Sequence, residues 1–541
     1  MYIKIMFEKE SHNDVVIVGS GLAGLHAAYP LVLSGKNVVM LDVGFDESRS
    51  LEDGPNVDFP NYRKFEPCQH KVFLGDDLSG IGAYGDDRGH AASMTSGRRS
   101  YVVRSTGEYL PVESEDIVIT QSLAKGGLSE AWGAVCGFFD EGECTAVGIP
   151  YEEIRKHYAT IIERIGVSGN DVHFSMQPPA ILDDNNRAIL DTYEKKEAFF
   201  KQRGFSVEQP PLALLTKDFD SRNKTAYRDM DFWDNKGRSV YRGHYTLEKL
   251  KTYKNFTYKK DLLVTHVKYH MSGVTIIAQN IQTGESDLKI SGKVVIMAAG
   301  AINTTRILLR SFNLFDYKVP IILKNNYLIP SLLLSRLGKV ASTHRHSLCQ
   351  LVLSGMGKNT SIGNVYGQFY SYNSLLLFKL LRFIPLPTPE ALATLALIVP
   401  ALILVDIRFS TGTSPTGFSI LRRDARGNDY LKIEYTETKE REEQKKKKIG
   451  EIKRALVSLG LFPLKVVRSA FGSASHYAGG IPFSDSPPES GLGVNRYGQL
   501  YGAERIYVAD TASWNALPAK PPGLTIMANA NRIGSYVRDQ L

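Results

Sequence analysis

Three glycines and one aspartate near the start of the chain have the types and spacing of a dinucleotide-binding turn. The apolar run DVVIV is followed by GSGLAG, which contains Gly19, Gly21 and Gly24, then by a helical pattern and a second apolar run that ends at Asp42. In such a turn the first glycine makes the bend, the second admits a pyrophosphate to the backbone, and the third lets the helix pack on the strand. An acid after the second strand accepts hydrogen bonds from ribose hydroxyls. The pattern predicts that these four residues bind a dinucleotide, without separating NAD from FAD.

Two later stretches have the pattern of buried parallel strands whose ends suit a ligand site. The run KVVIMAAGA ends at small residues, including Ala299 and Gly300, which let the backbone approach a cofactor or another strand closely. The run IYVAD ends at Asp510, and open α/β sheets bind ligands at the carboxyl ends of their strands. The chain then reads as a helix over residues 524–537, after two prolines and a glycine that mark its start.

These stretches, together with GGLSEAWG at residues 126–133 and SHYAGG at residues 475–480, occur in an order and spacing that resemble the glucose–methanol–choline oxidoreductases. Members of that family are FAD enzymes that oxidise alcohols. The resemblance covers the FAD-binding parts, about half of the chain, and residues 320–455 contain no motif that matches.

The resemblance implies that FAD is the cofactor and that the final helix points its N-terminus at the flavin. That N-terminus carries about half a positive charge and would stabilise the anion of reduced flavin. The residues expected at FAD are Gly19, Gly21, Gly24, Asp42, Gly127, Ser129, Trp132, Val264 near the adenine, Ala299, Gly300, Asp510 near the ribityl–phosphate region, Pro522, Leu524 and Thr525. The family often has a histidine in the GG segment, sometimes bonded to the flavin. The matching residue here is Ala131, so we expect non-covalent FAD.

Alcohol oxidation needs a hydride acceptor and a base for the hydroxyl proton, and an imidazole suits the second task at neutral pH. The resemblance places the active-site histidine at His476. The family usually supplies a second partner, His or Asn, just before the final helix, and that position here is Pro521, which cannot act as a base. Lys520 or Asn515 could substitute from the same loop. Otherwise His476 acts alone, or a residue of the middle domain contributes.

These elements predict an α/β protein with two lobes. One is a Rossmann-like FAD-binding domain, and the other is an α+β substrate-binding domain with an antiparallel sheet. The expected divisions are 1–170 for the first part of the FAD-binding domain, 171–240 for an insertion or loops of the substrate lobe, 241–316 for the second part, 317–460 for the substrate-binding domain, and 461–541 for the third part with the active site.

Composition excludes several other classes of protein. The chain has 541 residues, of which 43% are hydrophobic and 23% are charged, an ordinary globular balance. Four cysteines with no CxxC pair predict neither a disulfide scaffold nor a zinc site. His344 and His346 alternate, but two histidines without a further cluster are not expected to hold a metal. The N-terminus lacks the apolar core of a secretory signal, and we expect a cytoplasmic protein.

The net charge of +8 is distributed unevenly. Residues 1–150 contain 12 basic and 22 acidic residues, a net charge of −10, so residues 151–541 carry +18. Residues 317–389 contain eight basic and no acidic residues, which predicts a field that favours an anionic substrate or anionic lipid headgroups. The KKKK run at 445–448 is interleaved with glutamates and lacks aromatic stacking partners, so nucleic acid is not an expected partner.

Residues 374–405 are unusually apolar and have two interpretations. They form buried strands and a helix of the substrate lobe, or they form a surface segment that dips into one leaflet of a membrane. A full span is not expected, because the longest uncharged part, 391–405, is shorter than the ~20 residues that cross a bilayer.

The sequence leaves three hypotheses for the function open. The first is a sugar or sugar conjugate, nucleotide- or lipid-linked, since GGLSEAWG resembles the sugar-oxidising branch of the family. The others are a steroid or lipid alcohol at a membrane, and a non-catalytic flavin-binding assembly protein.

Overall fold

The computed structural model describes residues 13–47, 57–58, 61–62, 65–76, 95–230, 232–233, 236–340, 346–357, 361–371, 384–412 and 417–541. Its strands are β1 (Asn13–Val18), β2 (Val38–Leu41), β3 (Val112–Ser114), β4 (Phe205–Glu208), β5 (Phe256–Lys259), β6 (Leu262–His270), β7 (Gly273–Asn280), β8 (Leu288–Met297), β9 (Lys318–Leu323), β10 (Asn326–Leu333), β11 (Leu351–Gly355), β12 (Val365–Ser371), β13 (Leu402–Phe409), β14 (Gly417–Arg423), β15 (Asp429–Tyr435), β16 (Leu461–Pro463), β17 (Val467–Arg468), β18 (Tyr477–Ala478) and β19 (Ile506–Val508).

Its helices are α1 (Leu22–Leu33), α2 (His70–Leu74), α3 (Thr106–Tyr109), α4 (Glu141–Val147), α5 (Tyr151–Ile165), α6 (Asp184–Lys195), α7 (Glu197–Gln202), α8 (Gly243–Leu250), α9 (Ala301–Ser311), α10 (Thr388–Ile398), α11 (Lys439–Ser458) and α12 (Gly523–Gln540). Short 3-10 turns cover Gly97–Val103, Gly127–Ala131, Leu334–Arg336, Val399–Ala401 and Thr511–Ser513.

The first sheet is the predicted dinucleotide-binding sheet. Its order is β5-β2-β1-β8-β7-β6, and β19 pairs with the carboxyl-terminal half of β8. The strands β5, β2, β1, β8 and β19 run parallel, and β6 and β7 form an antiparallel extension on β8. The runs VVIV in β1 and VVML in β2 are buried throughout, as expected for strands covered on both faces.

The second sheet is antiparallel, with the order β16-β10-β13-β12-β11-β4, and β17 also pairs with β10. Alternate residues of β13 face opposite sides because side chains alternate along a strand. Ile407 and Phe409 pack with Ile452 and Leu456 of α11 in an apolar core. Asp406 and Arg408 lie on the other face, and Arg408 is directly opposite Asn326. One face of this sheet is therefore apolar. The other, which we call the polar face, has Asn326, Gln368, Asp406 and Arg408 together with apolar residues such as Leu328 and Leu404.

A third sheet has the order β18-β9-β14-β15-β3. The strand β18 follows His476 directly and pairs with β9, so it fixes the backbone beside that histidine. The predicted fold class is confirmed: an α/β FAD-binding sheet is combined with an antiparallel-sheet lobe. The proposed domain divisions stay predictions.

The apolar segment at residues 374–405 is partly buried and partly exposed, so each of the two interpretations made from the sequence fits one part of it. Residues 374–383 lie outside the described residues. The helix α10 has exposed apolar side chains, with Leu392 50% and Leu397 60% exposed, whereas Leu402 and Ile403 of β13 are buried in the second sheet. In the described part of the chain, no helix is long and apolar enough to cross a membrane.

Part of the positive field expected from residues 317–389 is neutralised by acids from other segments. Lys318 lies 3.2 Å from Glu434, and Arg336 lies 2.9 Å from Asp184. Lys324, in contrast, is buried and donates a hydrogen bond to the carbonyl oxygen of Pro518. The remaining field therefore depends on fewer groups than the sequence predicts.

Candidate active site

A cavity of about 1340 Å³ lies where the carboxyl ends of the parallel strands meet the polar face of the second sheet. Typical ligand pockets measure about 300–1,000 Å³, so this cavity has room for a large cofactor together with a substrate. Predicted residues in its wall are Gly19, Gly21, Asp42, Gly127, Ser129, Trp132, Val264, Ala299, Gly300, Asp510, Pro522 and His476.

The glycine turn has a different physical requirement at each position. Gly19 has φ of +99°, and a Cβ there would lie 2.6 Å from the carbonyl oxygen of Ala298. A Cβ on Gly24 would overlap the carbonyl oxygen of Gly19, so Gly24 serves the packing of α1 on β1 and does not line the cavity. A Cβ on Gly21 would meet nothing within 4 Å. The fold therefore leaves open space beside Gly21, at the N-terminus of α1, where a pyrophosphate is stabilised.

Asp42 lies in the wall at the end of β2 and is bonded by two hydroxyl groups. Ser20 donates to its Oδ2 atom, and the Tyr258 hydroxyl lies 3.2 Å from the same atom. Burial raises the pKa of Asp42 to about 7, although these hydrogen bonds favour the carboxylate. Ribose hydroxyls would supply further donors to this acid, which fits the role expected from the sequence.

Asp510 ties the end of β19 to the start of α9. Its Oδ2 atom accepts hydrogen bonds from the Gly300 amide at 2.8 Å and from the Thr304 hydroxyl at 2.5 Å, and its Oδ1 atom accepts from the Ala512 amide at 2.9 Å. Burial raises the pKa of Asp510 to about 6. The carboxylate holds Gly300 at the cavity, where a Cβ would meet nothing within 4 Å.

The segment at residues 126–133 builds the wall between α1 and α12. Gly127 has φ of +61°, and a Cβ there would lie 3.3 Å from the Cα atom of Gly21. Ser129 accepts a hydrogen bond from the Gly243 amide at 2.9 Å. Trp132 donates from Nε1 to the carbonyl oxygen of Tyr241 at 2.8 Å, and its ring fills the space beside Gly523. These contacts fix the start of α12 against the cavity.

Two of the residues predicted at the flavin do not reach the cavity with their side chains. Leu524 is fully buried in an apolar core, and Thr525 forms a hydrogen bond with the hydroxyl of Tyr158 at 2.7 Å. Pro522 and Gly523 line the cavity instead. The N-terminus of α12 therefore meets the cavity through its first residues, because the helix turns Leu524 and Thr525 into the core.

His476 lies in the cavity wall. Its Nδ1 atom is buried and has no hydrogen-bond partner in the described part of the chain. Burial lowers the pKa of His476 well below its ordinary value, and the positive charges of Arg408 and Lys324 lower it further. The imidazole is therefore neutral at physiological pH and able to accept a proton.

The structure does not bring Lys520 or Asn515 to the cavity, so neither fits the role of second catalytic partner. The Lys520 ammonium lies 2.7 Å from Glu143 and 3.4 Å from Asp140, which holds it in an ion pair at α4. Asn515 donates from Nδ2 to the carbonyl oxygen of Phe483 at 3.0 Å. Pro521, which occupies the position of the family's partner, does line the cavity.

The polar face of the second sheet supplies cavity residues that the sequence patterns did not bring forward. Asn326, Gln368, Tyr370 and Arg408 line the cavity, and the Tyr370 hydroxyl donates to Oε1 of Gln368 at 3.1 Å. The available signal was a partial alternation: Tyr366, Gln368 and Tyr370 stand at every second position of VYGQFYS, and Asp406 and Arg408 do so at the end of LILVDIRF. We call these four residues, together with His476, the substrate side of the cavity.

Of the two histidines that alternate near residue 345, the structure describes only His346. His346 is buried, and His344 lies outside the described residues. The described residues contain no group of three His, Cys, Asp or Glu side chains that could hold a metal ion.

A family model for an FAD binding domain matches residues 14–50, which include the glycine turn and Asp42. The chain therefore has an FAD-binding domain, and FAD is its cofactor. In the described part of the chain, this domain and the antiparallel-sheet lobe line the same cavity.

The overall fold is similar to the crystal structure of pyridoxine 4-oxidase from Mesorbium loti. The TM-score is 0.58 at 14% sequence identity, and the match covers 97% of this chain and 99% of that chain. A search of curated proteins found no relative by sequence.

Proposed function

We propose that the protein oxidises a hydroxyl group to a carbonyl group, with His476 as the base and FAD as the oxidant. FAD supplies a flavin N5 atom that accepts a hydride from the carbinol carbon. The observation that carries this proposal is the position of His476 in the wall of the cavity, which residues of the FAD-binding turn and of the polar face of the second sheet also line. The Nε2 atom of His476 takes the proton of the substrate hydroxyl as the hydride leaves.

The electrostatics around the flavin position support the same reaction. The N-terminus of α12 lies at the cavity through Pro522 and Gly523. A helix N-terminus stabilises negative charge, and reduced flavin is an anion at its pyrimidine edge. The lack of a second base at Pro521 makes His476 the single proton acceptor among the residues proposed for the site.

The proposed substrate is a sugar or sugar conjugate. The substrate side of the cavity includes the amide of Gln368 and the hydroxyl of Tyr370, groups that both donate and accept hydrogen bonds, whereas the amide of Asn326 is already bonded to Asp406 and Ser469. Such a wall suits a substrate with several hydroxyl groups. Pyridoxine, for which the oxidase with the similar fold is named, is a second alcohol to test.

The experiment is anaerobic mixing of the FAD-loaded protein with a panel of alcohols. Bleaching of the oxidised flavin band by sugars, and its loss in His476→Asn, is the expected result. A control variant, His270→Asn, changes an exposed histidine outside the cavity and keeps the wild-type rate. Bleaching that is unchanged in His476→Asn, or no bleaching by any alcohol, would contradict the proposal. The second of these results would favour the non-catalytic flavin-binding hypothesis.

A second candidate function is oxidation of a steroid or other lipid alcohol at a membrane surface. Exposed apolar side chains on and beside α10 favour it: Leu392, Leu397, Leu334, Leu337 and Val340 are 41–86% exposed. The Gly338 amide donates to the carbonyl oxygen of Leu397 at 3.0 Å, so these two segments are adjacent. Large exposed apolar patches are typical of membrane or protein contacts.

Vesicle flotation tests this second candidate. Binding to vesicles that contain anionic lipid, lost in the double variant Leu392→Ser/Leu397→Ser, is the result that supports it. A protein that stays at the bottom of the gradient, together with flavin bleaching by sugars but not by sterols, favours the first function and its expected cytoplasmic location.

A further inference from the structure

We propose that Arg408 binds an anionic group of the substrate, so that the substrate is an alcohol bearing a phosphate or a carboxylate. This inference rests on the proposed function, because it assigns the substrate class of the same site. It replaces the broad positive field expected from residues 317–389 with one guanidinium at a defined place in the cavity wall.

Arg408 stands on the polar face of the second sheet, at the end of β13. It lies opposite Asn326 of β10 and opposite Tyr366 of β12 in the strand register. Asn326 and Arg408 both line the cavity, as does His476. A group bound by Arg408 would therefore lie in the same compartment as the proposed base.

The guanidinium is oriented by one carboxylate and still has a nitrogen to offer. Its Nε and Nη2 atoms donate to Oδ2 of Asp406 at 3.1 and 2.7 Å, and Oδ1 of Asp406 accepts from Nδ2 of Asn326 at 2.8 Å. The Nη1 atom has no partner in the described part of the chain, and 11% of the side chain is exposed. A planar guanidinium that is already held in place binds carboxylate and phosphate oxygens at a smaller loss of entropy than a flexible lysine.

Asp406 is bonded to Arg408 but not to Lys324, the second basic side chain at this side of the cavity. The buried ammonium of Lys324 acts on His476 together with Arg408, and its own hydrogen bond goes to the Pro518 carbonyl oxygen instead of to a carboxylate. The nearby acid Glu143 is already paired with Lys520. Burial and the charge of Arg408 lower the pKa of Lys324 well below its ordinary value. An anion at Arg408 would relieve this repulsion.

The alternative role for Arg408 is only to balance the buried Asp406. That role uses the Nε and Nη2 atoms and gives no function to Nη1, which has no partner in the described part of the chain. A purely structural arginine would also leave substrate preference unchanged when it is replaced. The two roles are therefore separable by experiment.

The test compares matched alcohols with and without an anion: pyridoxine with pyridoxine 5′-phosphate, glucose with glucose 6-phosphate, and glucose with glucuronate. We measure kcat/KM for flavin reduction under anaerobic conditions. The anionic member of at least one pair is expected to be preferred by about tenfold or more, the effect of one charge-assisted contact. The phosphate and carboxylate pairs distinguish the two sources of the anion.

Two variants separate binding from folding. Arg408→Met removes the guanidinium but leaves Asp406 buried without its cation, which could prevent folding. The double variant Arg408→Gln/Asp406→Asn removes both charges and keeps hydrogen-bonding groups in place. In whichever variant folds, the ratio of kcat/KM between the anionic and the neutral alcohol is expected to fall to about one through a rise in KM, as expected for the loss of a single contact. An unchanged ratio would overturn the inference.

Inorganic phosphate gives a readout that does not need turnover. Phosphate added to the FAD-loaded wild type is expected to change the flavin absorption spectrum, and the change is expected to saturate as the phosphate concentration increases. In the double variant, phosphate is expected to leave the spectrum unchanged. If phosphate binds through Arg408 but no alcohol reduces the flavin, the proposed function fails and the anion site stands. If alcohols reduce the flavin without any anionic preference, and phosphate has no effect, the function stands and the anion site fails.

Discussion

Replacing Gly21 and Gly24 separately by alanine distinguishes a glycine needed by the cofactor from a glycine needed by the fold. Both belong to the same turn and both changes add one methyl group. At Gly21 the backbone has φ of −68° and ψ of −179°, which alanine adopts freely, and the new Cβ would meet nothing within 4 Å. At Gly24 the new Cβ would overlap the carbonyl oxygen of Gly19.

The two substitutions are expected to change different quantities: Gly21→Ala weakens FAD binding, whereas Gly24→Ala lowers the free energy of unfolding. Gly21→Ala keeps or raises the free energy of unfolding of the apoprotein, by about 0.4–1 kcal/mol, because alanine restricts the unfolded chain. The methyl group then occupies space that the pyrophosphate needs, and overpacking of about 1–3 kcal/mol corresponds to FAD binding weakened about 5- to 150-fold. Gly24→Ala lowers the free energy of unfolding by at least about 1–3 kcal/mol, because α1 must move away from β1.

The assay has two parts that share one set of proteins. Quenching of flavin fluorescence during titration of apoprotein gives the FAD dissociation constant, and denaturant unfolding of the apoprotein gives stability. Wild type and Gly35→Ala, which changes a turn glycine after α1 outside the cavity, serve as references for the fluorescence measurement. If Gly21→Ala bound FAD as tightly as the wild type, the cofactor would not lie against the N-terminus of α1, and the role assigned to this turn would be refuted.

Four other measurements bear on the site and its cofactor. The rate kcat/KM is expected to stay level as the pH falls from neutral through 6.5 and to decrease only at lower pH, because the pKa of His476 is depressed well below 6.5 and only the neutral imidazole accepts a proton. A profile whose acid limb lies at or above pH 6.5 would exclude this base. FAD affinity is expected to weaken as the pH falls through about 7, where Asp42 takes up a proton and stops accepting hydrogen bonds, and to be independent of pH in Asp42→Asn. Lys520→Met is expected to lower the free energy of unfolding by about 1–3 kcal/mol, because Glu143 stays buried without its cation. Flavin reduction is expected to keep its wild-type rate; a loss of this rate would indicate that Lys520 takes part in catalysis. Acid precipitation is expected to release all flavin into the supernatant, because Ala131 cannot bond to it; flavin that stays in the pellet would contradict this.

The parts of the site that the sequence could predict are those set by neighbours in the chain. The turn from Gly19 to Asp42 is such a case, because its strand, helix and acid interact within one βαβ unit. His476 and Asp510 could be placed because each stands in a short motif at a strand end. Their surroundings, in contrast, depend on contacts between segments far apart in the chain.

Arg408 and Lys520 show why the rest could not be predicted. Arg408 shares the substrate side of the cavity with Asn326 only because β10 and β13 pair. The residue sequence of one strand does not determine which residue of the other strand lies opposite. Lys520 looked available for catalysis from its position before the final helix, but Glu143, 377 residues away, holds it in an ion pair. The apolar segment at 374–405 could not be assigned for a related reason: hydrophobicity is the same for Leu392 on the surface and Leu402 in the sheet.

The most direct test of alcohol oxidation with His476 as its base is the single-turnover rate of flavin reduction by a sugar that is deuterated at the carbon whose hydroxyl group is oxidised. We predict a slower rate with the deuterated substrate in the wild type. We also predict a rate about 10²- to 10⁴-fold lower in His476→Asn, the usual cost of losing a general base. A His476→Asn enzyme that reduces its flavin at the wild-type rate, with any of the alcohols that serve the wild type, would contradict this mechanism.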